Sequence, residues 1–486
     1  MKHMKISDFK RKYTNMPVQI KAAFWFLICS FLQKGISVIT TPIFTRLLNT
    51  QEYGQYTVFN SWLGIVTIIV SLNLSLGVYT QGLIKFDDKR KEFSSSLQGL
   101  SLTLTVGWTV IYLLFKDFFN QVMSLTTVQV LAMLIIIWSS SAFGFWSSEQ
   151  RVLYKYRRLV ILTLIVSVMQ PLLGIIFIFY AEDKVTARIL GILLAQIVIY
   201  TITFFVQMKN GKRFFSKRFW KYSLLFNLPL VPHYLSQTVL ASADRIMIDN
   251  MVGSGEAGIY GLAYSLSQVM TLVNTALMQT LNPWFYEKIK NKDFGVIAPI
   301  SYVCLVLVGL SNILLIALAP EAVAIFAPRA YYEAIWIIPP VALSSIFLFT
   351  YDLFAKFEFY YEKTHFIMAA SIMGAAINIV LNYFFIARFG YMAAGYTTLI
   401  CYIIFAICHY MFMNRICDKY INGIRPFYAK RLLGIIIIFM VIGFGFMTTY
   451  NVPWLRYSLL VAMIIILIIK RNSIKNMLNQ VMALRK

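Results

Sequence analysis

Charge is scarce in this sequence. Of 486 residues only 13% are Asp, Glu, Lys or Arg, while 59% are hydrophobic. A water-soluble domain carries about 25% charged residues, so this chain lacks the polar surface to fold as one. Cysteine is almost missing too: Cys29, Cys304, Cys401 and Cys408 fall inside apolar runs and Cys417 beside one. That pattern speaks against a disulfide framework or a Cys-x-x-Cys metal site. Hydrophilic connectors longer than about fifteen residues are absent. With them are missing a Gly-rich phosphate loop, an HExxH helix and paired carboxylates in an exposed loop. No enzyme activity, catalytic residue, metal or cofactor is expected.

Acidic side chains are the third shortage, 20 against 44 Lys and Arg, for a net charge of +24. Such a surplus suggests nucleic acid until its placement is read. What fills the chain is a series of apolar blocks of roughly twenty residues, enough helix to cross a hydrocarbon core of about 30 Å. Fourteen spans are predicted, from 20–44 to 454–470, with 56–80, 223–250 and 259–281 among them. The expected class is all-α integral membrane. The first block follows Lys-rich residues but is too long for a signal-peptide core and lacks a cleavage site, so it is read as a retained span. With the N-terminus in the cytoplasm, 35 of the 44 Lys and Arg fall on that side, seven on the other, and Lys34 and Arg245 within spans. This positive-inside pattern predicts that both termini are cytoplasmic. The surplus is a topology signal with a secondary role at anionic membrane lipids, and no nucleic-acid partner is needed.

The chain is also written twice. Glu52-Tyr53-Gly54-Gln55-Tyr56 and Glu256-Ala257-Gly258-Ile259-Tyr260 share the frame Glu-x-Gly-x-Tyr, offset by 204 residues. The same offset aligns Thr67 with Thr271 and Ser71 with Thr275. Six spans per repeat is an even number, so both halves keep one orientation. The predicted organisation is an N-terminal six-helix bundle (1–208), a basic connector (209–222), a second six-helix bundle (223–412), and two further helices with a basic tail (413–486). Glu52, Gly54, Tyr56, Glu256, Gly258 and Tyr260 read as structural: the carboxylate suits a helix N-terminus, and glycine supplies a turn conformation closed to other residues.

Polar residues recur on single helical faces within the apolar blocks. Span 1 carries Ser30, Lys34, Ser37, Thr41 and Thr45; span 2 carries Asn60, Gly64, Thr67, Ser71 and Ser75. Span 7 has Gln237, Thr238, Ser242, Asp244, Arg245 and Asp249, with Pro229 and Pro232 to bend it; span 8 has Tyr264, Ser267, Thr271 and Asn274. Singly, such residues bond back to their own backbone or pack a neighbour. Four stripes together point to a hydrated cavity. A cation at bilayer depth costs at least about 2.5–3.5 kcal/mol, so Lys34 and Arg245 need water, a partner or a ligand. With Arg46 at the outer mouth they suit an anionic substrate. Asp249 stands one turn from Arg245, in reach of a pair, and Asp352 and Lys356 repeat that spacing as an interfacial pair. Asp244, Asp249 and His233 are candidates for coupling to an H+ or Na+ gradient. His365 and His409 sit near block ends.

Several segments resemble one family. Pro42-Ile43-Phe44-Thr45-Arg46-Leu47-Leu48 followed by Glu52-Tyr53-Gly54-Gln55-Tyr56 is similar to the opening of polysaccharide-transport flippases of the Wzx type. These belong to the multidrug/oligosaccharidyl-lipid/polysaccharide exporter superfamily. The likeness continues through Ser242–Ile248, Gly258–Tyr260, Ala319-Pro320-Glu321, Tyr332-Glu333-Ala334 with Ile338-Pro339, and Asn382 with Phe389–Gly395. It spans essentially the whole chain. It implies a MATE-like fold of fourteen helices and the flipping of an undecaprenyl-pyrophosphate-linked oligosaccharide to the outer leaflet, with polymerase and assembly proteins as further partners. On that reading Lys34 and Arg245 engage the pyrophosphate, and Ser37, Thr41, Asn60, Thr67, Gln237, Thr238, Thr271 and Asn274 solvate the sugars. A lipid II or teichoic-acid-precursor flippase shares this chemistry. A multidrug/cation antiporter would want an acidic cavity, and a glycan polymerase or acyltransferase a large outer loop.

Overall fold

The computed structural model describes residues 16–472. The basic N-terminal segment with His3, and most of the basic tail, lie outside the described residues. Nineteen α-helices and four short 3-10 segments form the described chain, without a strand among them. In order these are α1 (Val18–Leu47), α2 (Thr50–Ser71), α3 (Gly77–Lys85), α4 (Arg90–Leu114), α5 (Lys116–Met123), α6 (Thr127–Val152), α7 (Tyr156–Tyr180), α8 (Lys184–Gly211), α9 (Lys217–Asn227) and α10 (Val231–Met251). They continue as α11 (Ser254–Ser267), α12 (Val269–Lys290), α13 (Ile297–Ala317), α14 (Ala319–Phe326), α15 (Ile338–Tyr360), α16 (Thr364–Phe389), α17 (Ala393–Tyr420), α18 (Ala429–Thr448) and α19 (Pro453–Ile469).

Every predicted apolar block is helical, and ten helices are long and apolar enough to cross a membrane. The other four blocks differ from a plain span for local reasons. Block 56–80 is divided because Leu72 and Asn73 take left-handed backbone (φ 48° and 54°) after α2, and α3 restarts at Gly77. Block 223–250 is divided by the 3-10 turn Leu228–Leu230. Pro229 and Pro232 each lack the N–H that a continuous helix would bond there. Block 259–281 is divided at Gln268, between α11 and α12. The last, α19, is simply short, at 17 residues.

The chain forms two compact units that divide within α10, the first running to Thr238 and the second from Val239. In the first, α8 packs against α4, α6 and α7. A cluster of Tyr79, Phe86, Phe93, Phe145 and Phe219 fills the space between α3, α4, α6 and α9. The basic connector and α9 therefore pack with the first unit. Trp220 Nε1 donates to the Ser96 carbonyl at 2.9 Å, and the Asn227 amide donates to the Leu72 carbonyl. In the second unit α15 is the most enclosed span, packed against α12, α13 and α17. Large apolar side chains such as Leu114, Phe179 and Ile469 stay exposed on outer helices. Hydrocarbon accepts such surface without penalty, so these helices are held by packing and polar contacts instead.

The repeated motif sits at a helix start in both units. Asn49 and Glu52 form a reciprocal capping box at the head of α2, each bond 2.8 Å long. This satisfies two backbone donors that the first turn leaves open. The sequence places Gly54 and Gly258 in turns, but Gly54 is buried inside α2 and Gly258 inside α11. The strained backbone lies at Gly253 (φ 153°), just ahead of the second motif, where glycine alone is comfortable.

Candidate functional site: polar helix faces and their charges

In the first unit α1 buries Ala22 and Cys29, while Ser30, Lys34 and Ser37 are exposed. At 3.6 residues per turn Lys34 lies about 140° round the helix from Cys29. It forms no ion pair among the described residues. The hydroxyl of Thr41 returns to the Ser37 carbonyl (2.8 Å), that of Thr67 to the Leu63 carbonyl (2.5 Å), and the Asn60 amide to the Tyr56 carbonyl (3.0 Å). These bonds satisfy donors inside an apolar helix and leave the oxygens as acceptors. Arg46 is exposed and donates to the Pro42 carbonyl at 2.8 Å.

In the second unit Asp244 is 1% exposed yet forms no ion pair among the described residues. Its Oδ2 accepts from the Tyr260 hydroxyl at 2.6 Å and the Thr398 hydroxyl at 2.8 Å, and its Oδ1 from the Asn382 amide at 2.6 Å. Asn382 also donates to Asn378 at 3.2 Å and accepts from Thr397. One carboxylate thus ties α10 to α11, α16 and α17. A buried charge without hydrogen bonds would be untenable there.

The expected pair between Arg245 and Asp249 is not formed. Arg245 turns to the Ala241 carbonyl and lies 4.4 Å from the Tyr264 ring centroid, while Asp249 accepts from Ser254 at 2.6 Å. A nearby hydroxyl and an aromatic face displace the one-turn pair. Asp352 and Lys356 likewise make no contact ion pair, although they lie within electrostatic reach of each other. Asn274 is buried and donates to the Ser345 carbonyl at 2.8 Å, so it joins α12 to α15. Thr271 bonds the Gln268 carbonyl and Thr238 the Tyr234 carbonyl. Gln237 and His233 are half-buried on α10, the His233 ring beside that of Tyr234.

Three polar features were not singled out in the sequence. Arg188 is buried between aromatic rings, its guanidinium carbon 3.7 Å from the Phe44 centroid and 3.4 Å from that of Tyr56. In the first unit Gln207 links the Tyr79 hydroxyl, Gln98 and Glu149. In the second, Glu358 and His409 form a wholly buried pair. The available signal was a charged residue flanked by apolar ones, as in Phe357-Glu358-Phe359. The first unit also holds a cavity of ≈ 1060 Å³ lined by Lys89, Arg90, Glu149, Lys155, Arg157 and Gln207 among others. None of the residues expected to bind substrate lines it.

With this geometry in hand, the comparisons place the chain. Residues 20–288, more than half of it, match the family described as polysaccharide biosynthesis protein. The chain belongs to that family. A protein of the Lsg locus of Haemophilus influenzae is 23% identical over 386 residues, covering 73% of this chain and 88% of its own. A second H. influenzae membrane protein is 21% identical, over 74% and 88%. Among solved structures, the inward closed form of the lipid II flippase MurJ superposes with a TM-score of 0.66 at 14% identity, covering 92% of this chain and 99% of that one. An inward-facing MATE-family multidrug resistance transporter of the MOP superfamily gives 0.62 at 14% identity, covering 83% and 100%. This polysaccharide biosynthesis family member therefore has the MATE-like all-α fold of a multi-pass membrane protein.

Proposed function

We propose that the protein is a flippase rather than an enzyme. Its substrate is an undecaprenyl-pyrophosphate-linked oligosaccharide, carried from the cytoplasmic to the outer leaflet of the bacterial inner membrane by alternating access, with both termini cytoplasmic. The observation that carries the reading is that each unit has a cation on a span that forms no ion pair among the described residues. Lys34 is exposed on the polar stripe of α1, and Arg245 on α10 meets the Ala241 carbonyl and the Tyr264 ring. Cations at such depth are retained when they have an anion to meet. A lipid pyrophosphate is such an anion, and it cannot cross hydrocarbon unaided. Membership of a polysaccharide biosynthesis family supports a glycan as the rest of the cargo. The hydroxyl and amide oxygens of Ser37, Thr41, Asn60 and Thr67 supply acceptors for sugar hydroxyls. Asp244, held by three neutral donors and in no ion pair among the described residues, is better placed than Asp249 or His233 for coupling to a cation gradient.

Complementation of a flippase-null strain tests this, with lipid-linked repeat units assayed on each face of the membrane. The wild-type chain restores export. Lys34→Gln and Arg245→Gln, accumulated to the same level, lower it about tenfold or more, the equivalent of losing about 1.4 kcal/mol of headgroup binding. Export unaffected by both substitutions sinks the assignment of these cations. Rescue of a strain lacking its lipid II flippase, but not of the glycan strain, moves the cargo to lipid II.

A further inference from the structure

Glu358 on α15 and His409 on α17 are both 0% exposed, and His409 Nδ1 lies 2.8 Å and 2.9 Å from the two Glu358 oxygens. A carboxylate only accepts, so the ring nitrogen facing both oxygens is the one that carries a hydrogen. His409 Nε2 is then the site of any additional proton, and it is buried with no hydrogen-bond partner among the described residues. Aromatic rings surround the imidazole, with centroids at 4.5 Å (Phe405), 4.9 Å (Tyr351) and 5.5 Å (Phe366). Aromatic π faces can attract a cationic ring and accept an N–H that has no oxygen to meet.

The surrounding charges say which state balances. From α15, Asp352 lies within electrostatic reach of Lys356 and of His409, and Tyr351 within reach of Asp352 and Glu358. Tyr286 of α12 reaches Asp352, and Tyr402 of α17 reaches Tyr351. From α16 Phe366 meets the ring while His365 is exposed, α13 carries no charged residue, and the charges of α18, Lys430 and Arg431, are exposed at its first turn. Asp352 and Lys356 offset one another. Glu358 then leaves one negative charge in this cluster when the imidazole is neutral, and none when it is protonated. An uncompensated charge in a dry interior is strongly disfavoured, so the carboxylate favours uptake of a proton by the pair.

We propose that Glu358 and His409 form a proton-binding site that loads one proton per chain, and that loading and release drive the transport cycle. The coupling rests on the flippase reading above; the site does not. A proton from water adds to the Nε2 lone pair and returns to water on release, with no other bond made or broken. Whether the resting proton sits as imidazolium with carboxylate or as neutral acid with neutral ring, the pair holds the same number. Asp244 is a separate carboxylate with its own donors.

The test uses the full chain purified in micelles with isotopically labelled histidine. The sequence has four histidines, so His409→Gln identifies the His409 resonance by its loss. Over about pH 5 to pH 9, where imidazoles ordinarily titrate, that resonance follows a one-proton transition. Glu358→Gln lowers its proton affinity about tenfold or more, because the carboxylate that favours the charged ring is gone. If His409→Gln does not fold, the resonance displaced by Glu358→Gln provides the assignment. A His409 signal constant across the range, or indifferent to Glu358→Gln, overturns the site and leaves a plain structural pin. In the complementation strain, His409→Gln lowers export about tenfold at normal accumulation if the proton drives transport. Equal export by His409→Gln overturns the coupling, whereas failure of the wild-type chain to export overturns the flippase reading.

Discussion

The Tyr260 hydroxyl donates to Asp244 Oδ2 at 2.6 Å, whereas Tyr56, its counterpart 204 residues earlier, lies face-on to the Arg188 guanidinium at 3.4 Å. The same residue at the same point of a duplicated frame serves opposite charges. In the second repeat the tyrosine offers its edge donor to a buried anion. In the first it offers its electron-rich face to a buried cation. Thr40 stands where the offset would place Asp244, so the carboxylate belongs to one repeat only. The shared backbone frame has thus been kept while the electrostatics of the two units diverged.

Tyr260→Phe removes one of three donors from a carboxylate that is 1% exposed. Hydrogen bonds to charged groups contribute about 1.5–3 kcal/mol, so the variant unfolds at measurably lower temperature in micelles. Asp244→Asn in the same background adds less than it does alone, because the two residues act through one network. Additive losses, or a Tyr260→Phe protein as stable as wild type, contradict this account of the site.

Arg188→Lys keeps the charge and loses the plane. A guanidinium stacks on two rings at once, whereas an ammonium is a compact, strongly hydrated point charge. With Phe44 and Tyr56 on its two sides, the substitution costs about 1–2 kcal/mol in thermal unfolding. Tyr56→Leu, which retains bulk but no π face, lowers stability in the same direction. Equal stability of Arg188→Lys and wild type would mean that the aromatic faces contribute nothing.

Much of the architecture was legible because lipid imposes a simple rule. Apolar runs of the right length must be helices, and all fourteen blocks are helical. The breaks were less legible. Pro229 and Pro232 announced one, but Leu72-Asn73 carries no glycine, and its left-handed turn depends on packing that a single sequence does not encode. A sequence shows a charge only its neighbours along the chain, which for Arg245 means Asp249 one turn away. The structure instead sets Arg245 against Tyr264, nineteen residues on. Glu358 and His409 went unpaired for the same reason: they lie 51 residues apart on different helices, joined only by the fold.

The crossing of α7 and α8 provides an asymmetric test of close packing. A Cβ built at Gly191 would lie 2.5 Å from Gly174 N and 2.6 Å from its Cα, both backbone atoms that cannot turn aside. A Cβ at Gly174 would meet the Phe44 ring edge at 3.4 Å and Arg188 Cγ at 3.7 Å, ordinary contact distances. Membrane helices that lack a hydrophobic driving force between them gain stability from such backbone approach. Gly191→Ala must push α7 and α8 apart and costs about 1–3 kcal/mol, the usual range for overpacking. Gly174→Ala, in the same crossing, falls well short of that. Gly107→Ala on α4, where nothing lies within 4 Å, is neutral or gains up to about 1 kcal/mol from helix propensity. Thermal unfolding of the three proteins in one detergent ranks them, Gly107→Ala highest and Gly191→Ala lowest. A Gly174→Ala protein as damaged as Gly191→Ala would show that the helices meet along a different line.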